Sequence, residues 1–183
     1  MLHKFKKLLA FCLAVAISQG AVAGLNVYPG PVLGTQVGAA ATAGYVGEYV
    51  CAQVWNGGSP SGCVTNSSTP VVLTANVAAN ITSITLSPGD WDISGMIGIV
   101  PGGSTQVNNV IEGSSLTSGA MDVFGTFTQV VPGVTDTAAT YTLPIPDRHL
   151  LVTTTTTVYL EISVGFNTST CSAIGVITAR RRQ

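Results

Sequence analysis

Asp90 and Asp92 are the first residues of this 183-residue chain whose types and spacing could do chemistry. Two apart in an extended segment, both carboxylates project from one strand face while Trp91 faces the other way. Such a pair suits a two-carboxylate hydrolase or a calcium site. Each needs a second acidic cluster, and none lies nearby in sequence; the plainer role is hydrogen bonding at a strand start, to the Pro88-Gly89 turn. His149 is the sole histidine after the first 23 residues and follows Asp147 and Arg148. A Ser-His-Asp triad would need a nucleophile on a strained turn, and the chain has no G-x-S-x-G. His149 therefore reads as a loop histidine at a strand start. Asp147 and Arg148 read as a local or intersubunit ion pair. No catalytic constellation emerges. The expectation is a non-enzymatic chain with no catalytic, cofactor-binding or metal-ligating residues and no cofactor.

The cysteines point to redox chemistry of a structural kind. Cys51 and Cys63 bracket a turn-rich insert, AQVWNGGSPSG, and a disulfide there would close a short loop. Cys171 is left over and is expected to be buried in the closing sheet. There is no C-x-x-C and no His/Cys cluster, which argues against structural zinc. Arg180, Arg181 and Arg182 form the main cationic cluster. They read as a solvated strand end, with pairing to acids of a neighbouring subunit as the functional alternative. Asn66, Asn80 and Asn167 stand in N-x-S/T contexts, frequent by chance in so Ser/Thr-rich a chain.

An apolar leader changes how the rest is counted. Lys4, Lys6 and Lys7 precede the apolar run Leu8 to Ile17, and Ala21-Val22-Ala23 is a small-x-small site. This is the pattern of a signal peptide over residues 1–23, cleaved between Ala23 and Gly24. Cys12 follows Phe11, which suits a lipoprotein site poorly. Export implies an oxidising destination, consistent with a Cys51–Cys63 bridge. Beyond Ala23 four arginines face eight acids, a net of −4, and no lysine remains. That sign argues against nucleic-acid binding, and no membrane association is expected after cleavage.

The elements that must position these residues read as β structure. Hydrophobic residues make up 46% and charged residues only 8%, so the chain is too apolar for disorder and suited to burial by copies of itself or by a larger assembly. Residues 24–44 are rich in Gly, Ala and Pro and read as an extended arm. From residue 45 to 183, alternating apolar segments separated by Gly and Pro turns predict an antiparallel β-sandwich or jelly-roll-like domain of about eight strands. Expected strands are Tyr45–Val54, Val71–Ala78, Ile81–Leu86, Asp90 to the Pro101 turn, Thr105–Glu112, Met121–Val130 and Thr140–Ile145. Gly113–Gly119 reads as a polar loop, and Thr153–Thr157 as a β-branched extended run. Two long strands close the chain within Leu150–Arg182. In the first, Val158, Leu160, Ile162, Val164 and Phe166 share a face. The second is apolar on both faces, with Ile174 and Val176 opposite Ala173 and Ile177, and belongs inside a sandwich or against another subunit. Trp91, Ile93, Ile97 and Ile99 share a face of their strand, making Trp91 a core anchor whose indole N–H needs an acceptor. Core or interface roles fall to Trp91, Ile174, Val176, Arg180 and Arg181.

Five segments occur in a fixed order: Gly47-Glu48-Tyr49-Val50, Ala79 to Leu86, Gly89-Asp90-Trp91-Asp92-Ile93-Ser94-Gly95, Thr154 to Leu160, and Ala173 to Arg181. The set resembles a β domain of tailed-phage and prophage virion proteins, where it forms the C-terminal part of fibre, spike or decoration proteins. The resemblance spans about Tyr45 to Arg182. It implies a jelly-roll-like, trimeric display or attachment module on head or tail, with other virion proteins as partners. Relative to that pattern the Cys51–Cys63 loop reads as an insertion. The alternative is an exported prophage-encoded or bacterial binding module, carbohydrate-recognising and periplasmic or secreted, motivated by the leader and the cysteine pair.

Overall fold

The structure is a computed structural model that describes residues 42–55, 57, 62–131 and 140–182. The signal segment, the Ala23–Gly24 site and nearly all of the 24–44 arm lie outside the described residues.

The described residues contain eleven strands: β1 (Tyr49–Val54), β2 (Val64–Ser67), β3 (Val71–Val72), β4 (Ala79–Leu86), β5 (Gly89–Pro101), β6 (Gln106–Ser115), β7 (Phe127–Val130), β8 (Tyr141–Pro144), β9 (Arg148–Val152), β10 (Thr156–Asn167) and β11 (Cys171–Arg181). The larger sheet runs β2-β1-β11-β5-β8, with β9 also on β5 and β3 on β11; the smaller runs β4-β10-β6-β7. From β4 to β6, and again from β9 to β11, successive strands cross between sheets. First and last strands thus become neighbours, as in a double Greek-key jelly roll.

Period two fixes which residues meet between the sheets. Trp91, Ile93, Ile97 and Ile99 of β5 pack against Val158, Leu160, Ile162 and Val164 of β10, with Ala173, Ile177 and Ala179 of β11 alongside, and all are buried. Each large aliphatic side chain contributes roughly 1.5–3 kcal/mol by leaving water. The Trp91 indole N–H donates to the Ser87 carbonyl at 3.0 Å, so the largest core side chain carries no orphan donor. β11 is central, between β1 and β5, which is why both of its faces are apolar or small.

Expected strands shorten wherever a residue leaves extended geometry. The first begins at Tyr49 rather than Tyr45, because Gly47 is left-handed at φ 86°. The segment from Val71 keeps only two paired residues. Asn76, at φ 60°, turns the chain and donates its N–H to Val164 O. Met121–Val130 reduces to β7, since Gly125 sits at φ 100° and Asp122 caps Val123 N. In the other direction β6 runs on through Ser115 into the expected loop, because Gly113, Ser114 and Ser115 pair with Glu161, Leu160 and Tyr159. Thr153–Thr155 form the bend between β9 and β10, and only from Thr156 is the threonine run extended.

Candidate functional site

Strand register assembles one continuous surface on the outer face of the larger sheet. Tyr49, Arg180, Asp92 and His149 stand in a row across β1, β11, β5 and β9. The next row holds Cys51, Thr178 and Ser94, and the third Gln53, Val176, Met96 and Pro144. The first two rows border an open cleft of about 700 Å³, to which Asp147 and Arg148 also contribute. Gln53, Val176 and Met96 of the third row, with Trp55, Gly98, Thr142, Ile174 and Gly175, line a second hollow of about 300 Å³.

The cleft is where the expected chemistry residues meet. Asp90 and Asp92 do share a strand face, and His149 is their common partner. Its Nε2 lies 2.9 Å from Asp90 Oδ1, and its Nδ1 3.3 Å from Asp92 Oδ1. The Asp90 contact is close but lacks hydrogen-bond alignment. Arg182 adds its Nη1 at 3.5 Å from Asp92 Oδ1 and 3.2 Å from His149 Nδ1. His149 therefore belongs to β9, not to a loop, and the two aspartates bind it rather than the Pro88-Gly89 turn. Thr178 and Ser94 join hydroxyls at 2.9 Å across β11 and β5. Among the described residues no group of three His, Cys, Asp or Glu side chains could hold a metal ion. The row can hydrogen-bond a polar ligand, and Tyr49 offers an exposed aromatic face beside it.

The second hollow is chemically different. Among the described residues its walls carry no ionisable side chain, and Trp55 and Met96 are 42% and 46% exposed. Gly98 forms part of the floor; a Cβ there would press on the Ile174 side chain at 2.8 Å. The Cys51–Cys63 disulfide sits between the two hollows and ties the insert to β1. Cys171 is free and buried, and burial pushes its thiol up to about 11.

Two arginines are not where the sequence alone suggests. Arg181 is no solvated strand end: it points inward and is 4% exposed. Its Nε donates to Glu48 Oε2 at 2.9 Å, Nη1 to Pro88 O at 2.7 Å, and Nη2 to Ser87 Oγ. Gly89 makes room, since a Cβ there would collide with the guanidinium. Arg180 stays exposed on the outer row, as does Arg182. Arg148 pairs not with its neighbour Asp147 but with Asp122, Nη1 to Oδ2 at 2.9 Å, and the same nitrogen donates to Ser114 O. Alternation explains this: Arg148 aligns with inward Ile93, while His149 aligns with outward Asp92. Burial works against the Asp122 charge, yet the Arg148 hydrogen bond and the Val123 N–H outweigh it and hold its pKa below the usual value.

Sequence reading missed two buried acids. Glu112 faces the sandwich interior opposite Ile162, and neither oxygen has a hydrogen-bond partner. Glu161 lies on the opposite face of the smaller sheet, where Gly119 N donates to Oε1 at 2.9 Å and Oε2 is unpartnered. Burial raises each carboxyl to about 7, with the Gly119 bond partly opposing it at Glu161. For Glu112 a signal was present: it stands two residues from buried Val110, whereas Val107 joins that face only across the bulge opposite Gly165 and Phe166. For Glu161 the alternating pattern placed it on the solvent side, and the covering segment 116–126 could not be read locally.

No family model matches the chain, and no curated protein matches it. Among solved structures it is similar to one described as the crystal structure of infectious bursal disease virus VP2 subviral particle, with a TM-score of 0.36 and 13% identity. The match covers 73% of this chain and 30% of that chain, so this chain spans less than a third of that neighbour's length.

Proposed function

We propose that this chain is a non-enzymatic virion structural protein. Its β unit self-associates as a trimer into a display or attachment module of a phage head or tail. The observation that carries the reading is the outer surface. Trp55, Met96 and Val72 are exposed on the outer side of the larger sheet, and Val123 and Phe124 at a loop tip. Exposed apolar patches of this kind mark protein–protein contacts. Four of the five resemblance segments lie on β4, β5, β10 and β11, and the first leads into β1. Glu48 of the first, Trp91 of the third and Arg181 of the last also meet in one buried cluster. The engagement of both Asp90 and Asp92 by His149 favours a binding or scaffolding surface over a two-carboxylate catalyst. Mass spectrometry of purified virions tests the assignment: the chain is expected in stoichiometric amount, and its absence overturns the reading.

A second reading, an exported carbohydrate-recognising module, is favoured by the polar cleft with Tyr49 at one end and by the disulfide. A glycan array read with the parent chain and Tyr49→Ala addresses it. Recovery of a cytoplasmic, uncleaved and reduced chain counts against it.

A further inference from the structure

We infer that residues 116–126, between β6 and β7, form a strap over the outer face of the smaller sheet that lifts when Glu161 loses its proton.

The strap is held down by polar contacts. The Gly119 N–H is shared between Asn80 Oδ1 of β4 and Glu161 Oε1 of β10, both at 2.9 Å. Asn80 Nδ2 donates in return to Ser118 Oγ at 2.6 Å. Thr117 N donates to Ser115 Oγ, and Ser114 N to Thr126 O. Arg148 of β9 holds Asp122. The strap also lies directly on β6, since a Cβ at Gly113 would collide with Thr126 O. Its larger apolar side chains, Leu116, Met121, Val123 and Phe124, all stay outside the buried core. Lifting it therefore exposes little apolar surface, and segments of that kind open well before the whole fold does.

Glu161 is what the strap covers. It is fully buried, although it points away from the sandwich interior. Around it stand Tyr159 of its own strand, Asn80 of β4, Gly113 and Ser115 of β6 and Phe127 of β7. The strap contributes one charge, Asp122, which Arg148 neutralises. Among the described residues no cation pairs with Glu161. Its carboxyl receives the Gly119 N–H on one oxygen and has no partner on the other. A neutral acid tolerates that setting. A carboxylate there would exchange its water shell for a single N–H, which is a poor trade. Burial accordingly outweighs the Gly119 bond and raises the group to about 7. The closed strap thus favours the protonated acid, and the open strap restores water to the charge. By linkage, closure is firmest below the ordinary value of 4.5 and weakens as pH rises through about 7.

Glu112 supplies the contrast. It is equally buried but faces the interior opposite Ile162, where no strap can lift to admit water. Its ionisation loads the whole fold, whereas that of Glu161 is relieved by moving one segment. The strap carries exposed Val123 and Phe124, so the Glu161 proton sets how firmly this apolar tip is presented.

Amide hydrogen exchange read by mass spectrometry at pH 6 and pH 8.5, corrected for the intrinsic pH dependence of exchange, tests this on the parent chain, Glu161→Gln and Glu112→Gln. Circular dichroism confirms that each is folded. In the parent, peptides covering 116–126 are expected to exchange while those of β5 and β11 remain protected. Strap protection should fall roughly tenfold between the two pH values. Glu161→Gln should abolish that response, and Glu112→Gln should keep it. The inference is overturned if strap protection in the parent does not change with pH, or if the strap exchanges only together with β5 and β11. It is overturned equally if Glu161→Gln responds to pH as the parent does. The parent measurements alone decide the matter if a variant does not fold.

Discussion

The guanidinium of Arg181 lies 4.4 Å from the ring centroid of Trp91, joining the end of the last strand to the start of β5 beside the partly buried Glu48 carboxylate. The cluster gathers the chain's first described strand region, its longest strand and its final strand at one corner. Removing the Glu48 charge leaves the buried Arg181 guanidinium without its counterion, which typically costs about 3–5 kcal/mol, whereas removing Arg181 leaves a partly exposed carboxylate, which costs less. Glu48→Gln is expected to lower stability in urea by an amount in that range, and Arg181→Met by less. A double variant should be less damaged than the two losses added, because the orphaned charge is gone.

The disulfide should act through the unfolded chain. Its cysteines are twelve positions apart, and closing a loop of that size is worth about 3 kcal/mol. Reduction, or Cys51→Ser with Cys63→Ser, is expected to lower the unfolding midpoint while leaving the far-ultraviolet spectrum of the folded state unchanged.

Glu112 and Glu161 give stability a specific pH dependence. Both are raised from 4.5 to about 7 in the folded chain, so between those values the folded state holds protons that the unfolded state releases. Stability is then full below about 4.5 and falls as pH rises through 7. The loss is on the order of 2–3 kcal/mol per carboxyl. Asp122 works in the opposite sense, stabilising above its ordinary value of 3.8 and losing that contribution as pH falls through its lowered folded value. Denaturant titrations from pH 5 to 8 should show the decline, and Glu112→Gln should flatten roughly half of it.

Cys171 is expected to be inert in the native state. Its thiol is buried and raised to about 11, so the reactive thiolate is scarce at pH 8. A thiol-reactive dye should label it only after denaturation; rapid labelling of folded protein would show that the closing sheet opens.

What could be read in the sequence follows the range of the forces involved. The alternation in β5 and β10 placed Trp91, Ile93, Leu160 and Ile162 in the core, because period two is local and one sheet face is buried. The same alternation put Asp90 and Asp92 on one face. It did not deliver His149 to them, since that meeting depends on β9 pairing with β5 across 57 residues. Arg181 misled because its neighbours are charged and terminal, whereas its burial is set by Glu48, which lies 133 positions away in the chain. The buried carboxyls were hidden for related reasons: the bulge between Val107 and Val110 breaks the alternation that marks the face of Glu112, and a distant loop covers Glu161.

Sedimentation of the native chain over a wide concentration series addresses the central claim most directly. We expect a species of three times the subunit mass that dissociates on dilution and protects Trp55 from quenchers when assembled. A single subunit mass at every concentration, with Trp55 always open to quencher, would contradict it.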